Sequence, residues 1–201
     1  GFTITTEVCD AYYKNNEQYP KGLFVKVDQN LSRLEKLMGA KLGDAVNPLL
    51  VSVRSGAAAS MPGMMDTVLN LGLNPDAIAG LIKKTGNERF VWDAYRRFIA
   101  MFGDVVMGVS RQEFEAVLDK HKKKARVKTD AELTAEQLKT ISEEFKVIYK
   151  KSTKEDFPND PKMQLLKAID AVFSSWNNPR AVKYREIYGI KGLLGTAVNV
   201  Q

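Results

Sequence analysis

Cysteine and histidine are nearly absent: Cys9 and His121 are the only ones in a chain of 201 residues. A lone cysteine closes no disulfide within the chain, which fits a reducing compartment. A Cys–His nucleophilic pair is not supported either, because His121 lies far downstream inside a lysine run. Cys9 is expected to be buried and inert. Long apolar runs are also missing. No stretch approaches the roughly 20 apolar residues of a membrane span, and no basic-then-apolar leader opens the chain. The glycines form neither a Walker loop, since no Gly-Lys-Ser/Thr follows them, nor a Gly-x-Gly-x-x-Gly turn. No repeat of fixed period is present, which argues against a solenoid. These absences lead to the expectation of a soluble intracellular protein, in the cytoplasm or an organelle, with no membrane partner.

What is present is ordinary for a globular protein: 44% hydrophobic and 27% charged residues. The length suits one domain, or one domain with a smaller lobe inserted. The net charge is +6, from 30 basic and 24 acidic residues, which favours anionic partners in general. Much of it is local, because Lys120-His121-Lys122-Lys123-Lys124-Ala125-Arg126 carries five formal positives in seven residues. Such a run suits nucleic acid, but no aromatics are interleaved to stack bases. A solvated helix end is the simpler reading, with no nucleic-acid partner.

Residues 2–5 alternate and are β-rich, predicting a strand. A helix follows to about Asn15, with Thr6 as its N-cap. Val27, Leu31, Leu34, Leu37 and Met38 give one apolar face to a helix over 23–38, which Gly39 ends. A buried-type strand is predicted over 49–54, a small glycine-containing loop over 55–66, and a strand over 67–71. The texture changes at Asn74-Pro75. Helices are predicted over 76–84, 87–102, 110–124 and 134–151, the last opened by a Thr134–Gln137 capping box. Phe157-Pro158 breaks this pattern. Two more helices then lead to a strand-like tail, Thr196 to Gln201. The expected class is α+β: residues 1–73 and 158–201 form a mixed lobe, and 74–157 an inserted all-helical one. The chain opens in mid-strand without Met and stops in mid-pattern, so further residues are expected on both sides.

The segment Val51-Ser52-Val53-Arg54-Ser55-Gly56-Ala57, followed by Ser60-Met61-Pro62-Gly63-Met64-Met65-Asp66-Thr67, carries the chemistry. A strand ends in an arginine and enters a glycine and serine loop. Backbone N–H groups in such a loop can form an anion nest, and an arginine fork matches phosphate oxygens. Taken alone, the pattern fits either a phosphate site or a structural turn with a surface arginine.

Those two runs, the second extended through Val68-Leu69-Asn70-Leu71-Gly72-Leu73, closely resemble the N-terminal, ATP-grasp-like domain of the pyruvate, phosphate dikinase family. Gly1 to Cys9 resembles its opening strand and helix. Arg89-Phe90, Tyr95-Arg96-Arg97-Phe98 and Met101 to Gly108 resemble its helical subdomain. Ser174-Ser175-Trp176, Pro179-Arg180-Ala181, Tyr184-Arg185 and Gly195 to Gln201 resemble the return. The resemblance implies that ATP, phosphate and pyruvate interconvert with AMP, pyrophosphate and phosphoenolpyruvate, through a phosphohistidine on another domain of a homodimeric parent. It implies that Arg54 contacts ATP phosphates and that Gly63 and Met65 lie over the nucleotide, with Ser55, Gly56 and Met64 as weaker candidates. Mg2+ would accompany ATP. A phosphate-binding lysine is expected upstream of Gly1, and the acidic metal ligands beyond Gln201, so no metal ligand and no catalytic residue is assigned here. The family's carrier histidine lies in a Thr-Ser-His context, which Lys120-His121-Lys122 does not match, and His121 is expected at the surface.

Simpler roles suit the other candidates. Arg96 and Arg97 are expected to pair with Glu88 or Asp93, and Trp92 and Trp176 to pack between helices. Asp66 is expected to cap its loop rather than bind metal. Met61, Met64 and Met65 are either core filler or, for Met65, part of an apolar wall for adenine. The reading that competes with an ATP-binding piece is a basic helical binding module acting through Lys120–Arg126. These residues alone are expected neither to form phosphoenolpyruvate nor to consume ATP; ATP formation from AMP, pyrophosphate and phosphoenolpyruvate by a sample of this mass would contradict that.

Overall fold

The computed structural model describes residues 1–201. Strands β1 (Phe2–Ile4), β4 (Val51–Gly56), β5 (Thr67–Leu71) and β6 (Ala197–Val200) build one antiparallel sheet in the order β1-β6-β4-β5. Strands β2 (Lys41–Leu42) and β3 (Pro48–Leu49) form a separate parallel pair. Alternation sets the faces of the larger sheet. Ile4, Val51, Val53, Val68, Leu71, Val198 and Val200 are buried. Thr3 and Arg54 are exposed, and Ser52 and Asn199 half-buried. Helix α7 (Pro161–Ser175) packs against β4, β5 and β6 and buries Leu165, Ala168, Ile169 and Val172.

The N-terminal helices follow the sequence pattern with local differences. Helix α1 (Thr6–Lys14) has Thr5, in extended conformation, at its N-cap, so the cap lies one residue earlier than Thr6, and no side chain bonds there. Helix α2 (Leu23–Met38) ends at Gly39 with φ 60°. Its buried stripe is Leu23, Val27, Leu31 and Leu34, while Leu37 and Met38 are 74% and 61% exposed because nothing packs over the last turn. The strand expected over 49–54 is divided: β3 ends at Leu49, and β4 runs on through Ser55 and Gly56.

No strand lies between Leu71 and Ala197. The intervening chain forms α3 (Pro75–Thr85), α4 (Glu88–Met101), a π-helical turn (Phe102–Val106), α5 (Arg111–Ala125) and α6 (Ala135–Thr153). The capping box at the start of α6 is present, with Gln137 N donating to Thr134 Oγ1 at 3.3 Å and Thr134 N to Gln137 Oε1 at 2.9 Å. The π turn was not signalled by the apolar spacing. Helix α8 (Pro179–Ile187) then precedes β6. One cluster of 33 buried residues runs from Val53 and Val68 in the sheet through Phe98 and Phe102 to Tyr149 on α6. Phe157 is its aromatic hub, with ring centroids of Tyr95, Phe98, Phe102 and Tyr149 at 6.4, 5.7, 5.5 and 5.2 Å.

The expected pairings of the helical segment are partly revised. Arg96 and Arg97 pair with Asp93, at 2.7 and 3.0 Å, and not with Glu88. Arg96 is 6% exposed and also reaches Asp130 at 2.7 Å. Burial works against the Asp130 charge, but the neighbouring Arg96 and Lys122 outweigh it and hold the carboxyl below its usual range. His121 is not a free surface residue. Its side chain is 11% exposed and its Nε2 lies 2.8 Å from Glu144 Oε1, tying α5 to α6. Trp176 is buried, with the Arg185 guanidinium 3.8 Å from its ring centroid. Cys9 is fully buried, and a Cβ on Gly195 would stand 2.6 Å from its Sγ; burial pushes the thiol upward.

The chain leaves the sheet at Gly72-Leu73 and comes back at Pro158-Asn159, and the two crossings are tied together. Gln164, fully buried on α7, accepts from Gly72 N at 3.0 Å and donates to Leu73 O at 2.9 Å and Pro158 O at 2.8 Å. Asn74 caps α3 through Ala77 N at 2.7 Å and reaches Asn159 O at 3.3 Å. Gln164→Leu strands a buried donor, a buried acceptor and a half-buried acceptor, so a loss of about 2 to 4 kcal/mol is expected in urea unfolding. Gln164→Glu can accept from Gly72 but sets a carboxylate against two carbonyls, which raises its folded-state pKa above the unfolded value of about 4.3. Its stability is therefore expected to be greatest near or below pH ~4 and to fall as the pH rises through the raised pKa, which the same unfolding curves at several pH values check.

Candidate functional site

Arg54 sits on β4, an inner strand of the sheet, with Thr67 and Asn199 as its cross-strand partners. Strand alternation places Val53 in the core and turns Arg54 to the open face. The ion-paired arginines of the chain are Arg96, Arg97, Arg111 and Arg180, and Arg54 is not among them. It is thus an exposed planar cation held on a rigid strand, with no carboxylate of its own chain to neutralise it.

Its surroundings are polar and shallow. Asn199 accepts from Thr3 Oγ1 at 2.7 Å. A side chain on Gly56 would collide with the Asn199 amide, since a Cβ there would lie 2.7 Å from Nδ2. Fully buried Thr196 receives the Gly56 N–H at 3.3 Å. Ser55 and Gly56 therefore belong to the strand, paired with Val198 and Ala197, rather than to a free loop. They lie within two residues of Arg54 on the same backbone.

The loop proper runs over 57–66. Residues Met61 to Met64 form a turn, closed by Met64 N donating to Met61 O at 3.2 Å. Proline at its second position and Gly63 at its third, with φ 73°, give the type II pattern. Met61 is buried, Met64 and Met65 are half-buried, and Gly63 is exposed. Met61 thus fills the core, while Met64 and Met65 keep apolar surface available. Asp66 does not cap its own loop. Its carboxylate takes Asn178 Nδ2 at 3.0 Å and an ion pair from Arg180, so the loop is fastened to the start of α8. Asn178 and Arg180 had no individual signal in the sequence, because their partners lie over a hundred positions away.

Other cavities differ in character. One of about 580 Å³ between α4 and α5 is lined by Arg96, Arg97, Arg111 and Lys122. Each of those cations is already paired with a carboxylate, so the cavity carries no free positive charge. In the basic run, Lys120 and His121 meet Glu144, and Lys122 meets Asp119 and Asp130. No three His, Cys, Asp or Glu side chains converge in a way that would hold a metal ion. No helix is long and apolar enough to cross a membrane.

Comparison with known proteins adds a second line of argument. The family model "Pyruvate phosphate dikinase, AMP/ATP-binding domain" matches residues 18–201. The chain is similar along its whole length to the chloroplastic pyruvate, phosphate dikinase of Mesembryanthemum crystallinum, at 56% identity, and covers 21% of that relative. It is 53% identical to the pyruvate, phosphate dikinase of Clostridium symbiosum and 53% identical to that of Giardia intestinalis, covering all of this chain and 23% of each relative. The chain therefore spans between a fifth and a quarter of the length of these relatives.

The positive φ at Gly63 generates a direct expectation. Nothing lies within 4 Å of a Cβ built there, so an added methyl would meet backbone strain and no clash. Gly63→Ala is expected to cost about 1 kcal/mol. Urea unfolding measures this, and Met65→Ala, which leaves the turn intact, serves as the control.

Proposed function

We propose that this chain, which belongs to the pyruvate phosphate dikinase AMP/ATP-binding domain family, supplies one wall of an ATP-binding pocket in a pyruvate, phosphate dikinase. The observation that carries this reading is Arg54. It is an unneutralised guanidinium fixed on an inner strand, beside Gly56 and at the mouth of the Met61–Asp66 loop. A polyphosphate laid along the open sheet face would meet a bidentate donor there. Gly63 and Met65, with Met64 beside them, would close over the nucleotide, and half-buried Met65 offers an apolar surface for adenine. Ser55 and Gly56 would let the phosphates come close to the backbone.

The parent reaction in this proposal converts ATP, phosphate and pyruvate to AMP, pyrophosphate and phosphoenolpyruvate through a phosphohistidine on another domain. This chain's part is to bind and orient ATP. Magnesium would arrive with the nucleotide and offset phosphate charge. Asp66 is committed to Arg180 and Asn178 and would not be its ligand. We also propose the division into a mixed lobe, 1–73 and 158–201, and a helical lobe, 74–157, supported by the confinement of the strands to the first. Remaining domains of the parent, and a second copy of it, are the proposed protein partners.

Amide exchange with and without MgATP tests the reading. Protection at Arg54–Asp66 is expected; protection confined to Lys120–Arg126 would favour a basic binding module instead. In the parent enzyme, Arg54→Ala is expected to lower the ATP half-reaction roughly 10²-fold or more and to leave the pyruvate half-reaction nearly intact. Arg54→Lys should recover only part, because an ammonium lacks the fork. Equal losses in both half-reactions, with a lowered melting temperature, would make Arg54 a structural residue.

A further inference from the structure

We infer that Arg180 and Asn178, where α8 begins, are positioning residues that hold the loop 61–66 in the conformation that receives the nucleotide. The inference rests on the nucleotide reading above. Arg180 uses both sides of its guanidinium: Nε donates to Met64 O at 3.1 Å, and Nη2 pairs with Asp66 Oδ1. Asn178 Nδ2 takes the other carboxylate oxygen at 3.0 Å. Backbone and side chain of the distal half of the loop are therefore both fastened, from one short stretch of chain.

Two features indicate that these contacts serve the loop and not α8. An asparagine at a helix N-cap ordinarily accepts from the second or third N–H of its own helix. Asn178 occupies that position and makes no such bond, because its amide is turned to Asp66. Arg180 is also 53% exposed on its side chain, whereas Asp66 is only 16% exposed. An ion pair with so wet a partner adds little to global stability, while the carboxylate it orients is largely shielded. The fastening sets local geometry more than it sets the melting temperature.

The rest of the loop has few anchors. Buried Met61 secures its near side, and the Met61–Met64 turn shapes its tip. Beyond Gly63, the bonds from Arg180 and Asn178 are the tertiary hydrogen bonds that fix Met64 and Asp66 before the chain enters β5. Asp66 adjoins Thr67, one of the two cross-strand partners of Arg54. The same contacts thus place the loop relative to the proposed phosphate-binding arginine.

The test uses the 201-residue chain and the variants Arg180→Met and Arg180→Lys, with three measurements: nucleotide-free amide exchange, melting temperature and MgATP affinity by titration. Arg180→Met is expected to speed exchange of amides 64–66 and to weaken MgATP binding, each about tenfold, with exchange in β4 and β6 and the melting temperature unchanged. Arg180→Lys should restore part of both, since it keeps the charge and loses the fork. Asp66→Asn, a second route to the same lesion, should reproduce the faster exchange. Unchanged exchange at 64–66 in Arg180→Met overturns the inference, as does faster exchange with undiminished MgATP affinity. Failure of the nucleotide reading looks different: MgATP then gives no protection at Arg54–Asp66 even in the unmodified chain, and this removes the purpose assigned to Arg180 whatever the nucleotide-free exchange reports.

Discussion

The fold depends on satisfying the backbone where the chain leaves the sheet and where it returns. A long helical excursion has to depart from and rejoin a small sheet, and the departure at Gly72-Leu73 lies in the interior while the return at Pro158 is half-buried, so an unpaired amide or carbonyl there is costly. One side chain meets that need. Gln164 offers an acceptor to Gly72 and two donors to Leu73 and Pro158, so the outgoing and incoming strands of chain are held side by side on α7. Among the side chains only a carboxamide presents a carbonyl acceptor and two N–H donors in one planar group. With the junction closed, α4 and α7 can share the apolar face of the sheet, and the hydrophobic cluster continues unbroken from Val53 to Tyr149.

That arrangement leaves the other face of the sheet to polar residues. Along β4 the alternation that buries Val51 and Val53 presents Ser52, Arg54 and Gly56 outward. The helical segment neutralises part of its positive charge internally, through Arg96 with Asp93 and Asp130 and through Lys122 with Asp119, while Lys123, Lys124 and Arg126 make no ion pair. The strand arginine receives no such partner. An overall excess of positive charge says little about where an anion would bind: cations without an ion pair occur both at Arg54 and in the run at Lys120–Arg126, and what distinguishes Arg54 is its place on an inner strand beside the Gly56 backbone.

Much of this was legible in the sequence, because it depends on local chemistry. Gly39 ends α2, Thr134 and Gln137 cap α6, and alternation marks β1 and β6; each needs only neighbours within a few positions. The loop over 55–66 was legible as a loop from its glycines and lack of charge, but its Met61–Met64 turn was not read. What stayed hidden depends on distant partners. Nothing near His121 reveals that Glu144 waits on the next helix, and Gln164 reads as an ordinary polar helix residue. The fastening of Asp66 to Arg180 spans the whole helical excursion. Leu37 and Met38 continue an apolar period that packing does not use. The family resemblance located the loop, but only the three-dimensional contacts identify what holds it.

The burial of the single thiol has a practical consequence. Cys9 lies on α1 beneath the backbone of Gly195, so close that even a methyl group would not fit between them. An alkylating reagent is far larger than a methyl group, so it can reach the sulfur only when the segment leading into β6 lifts away from α1. With no second cysteine to confuse the signal, labelling of the native chain would count the openings of that seam. The seam joins the first helix to the last strand, so the chain carries its own clock for how often its two ends part.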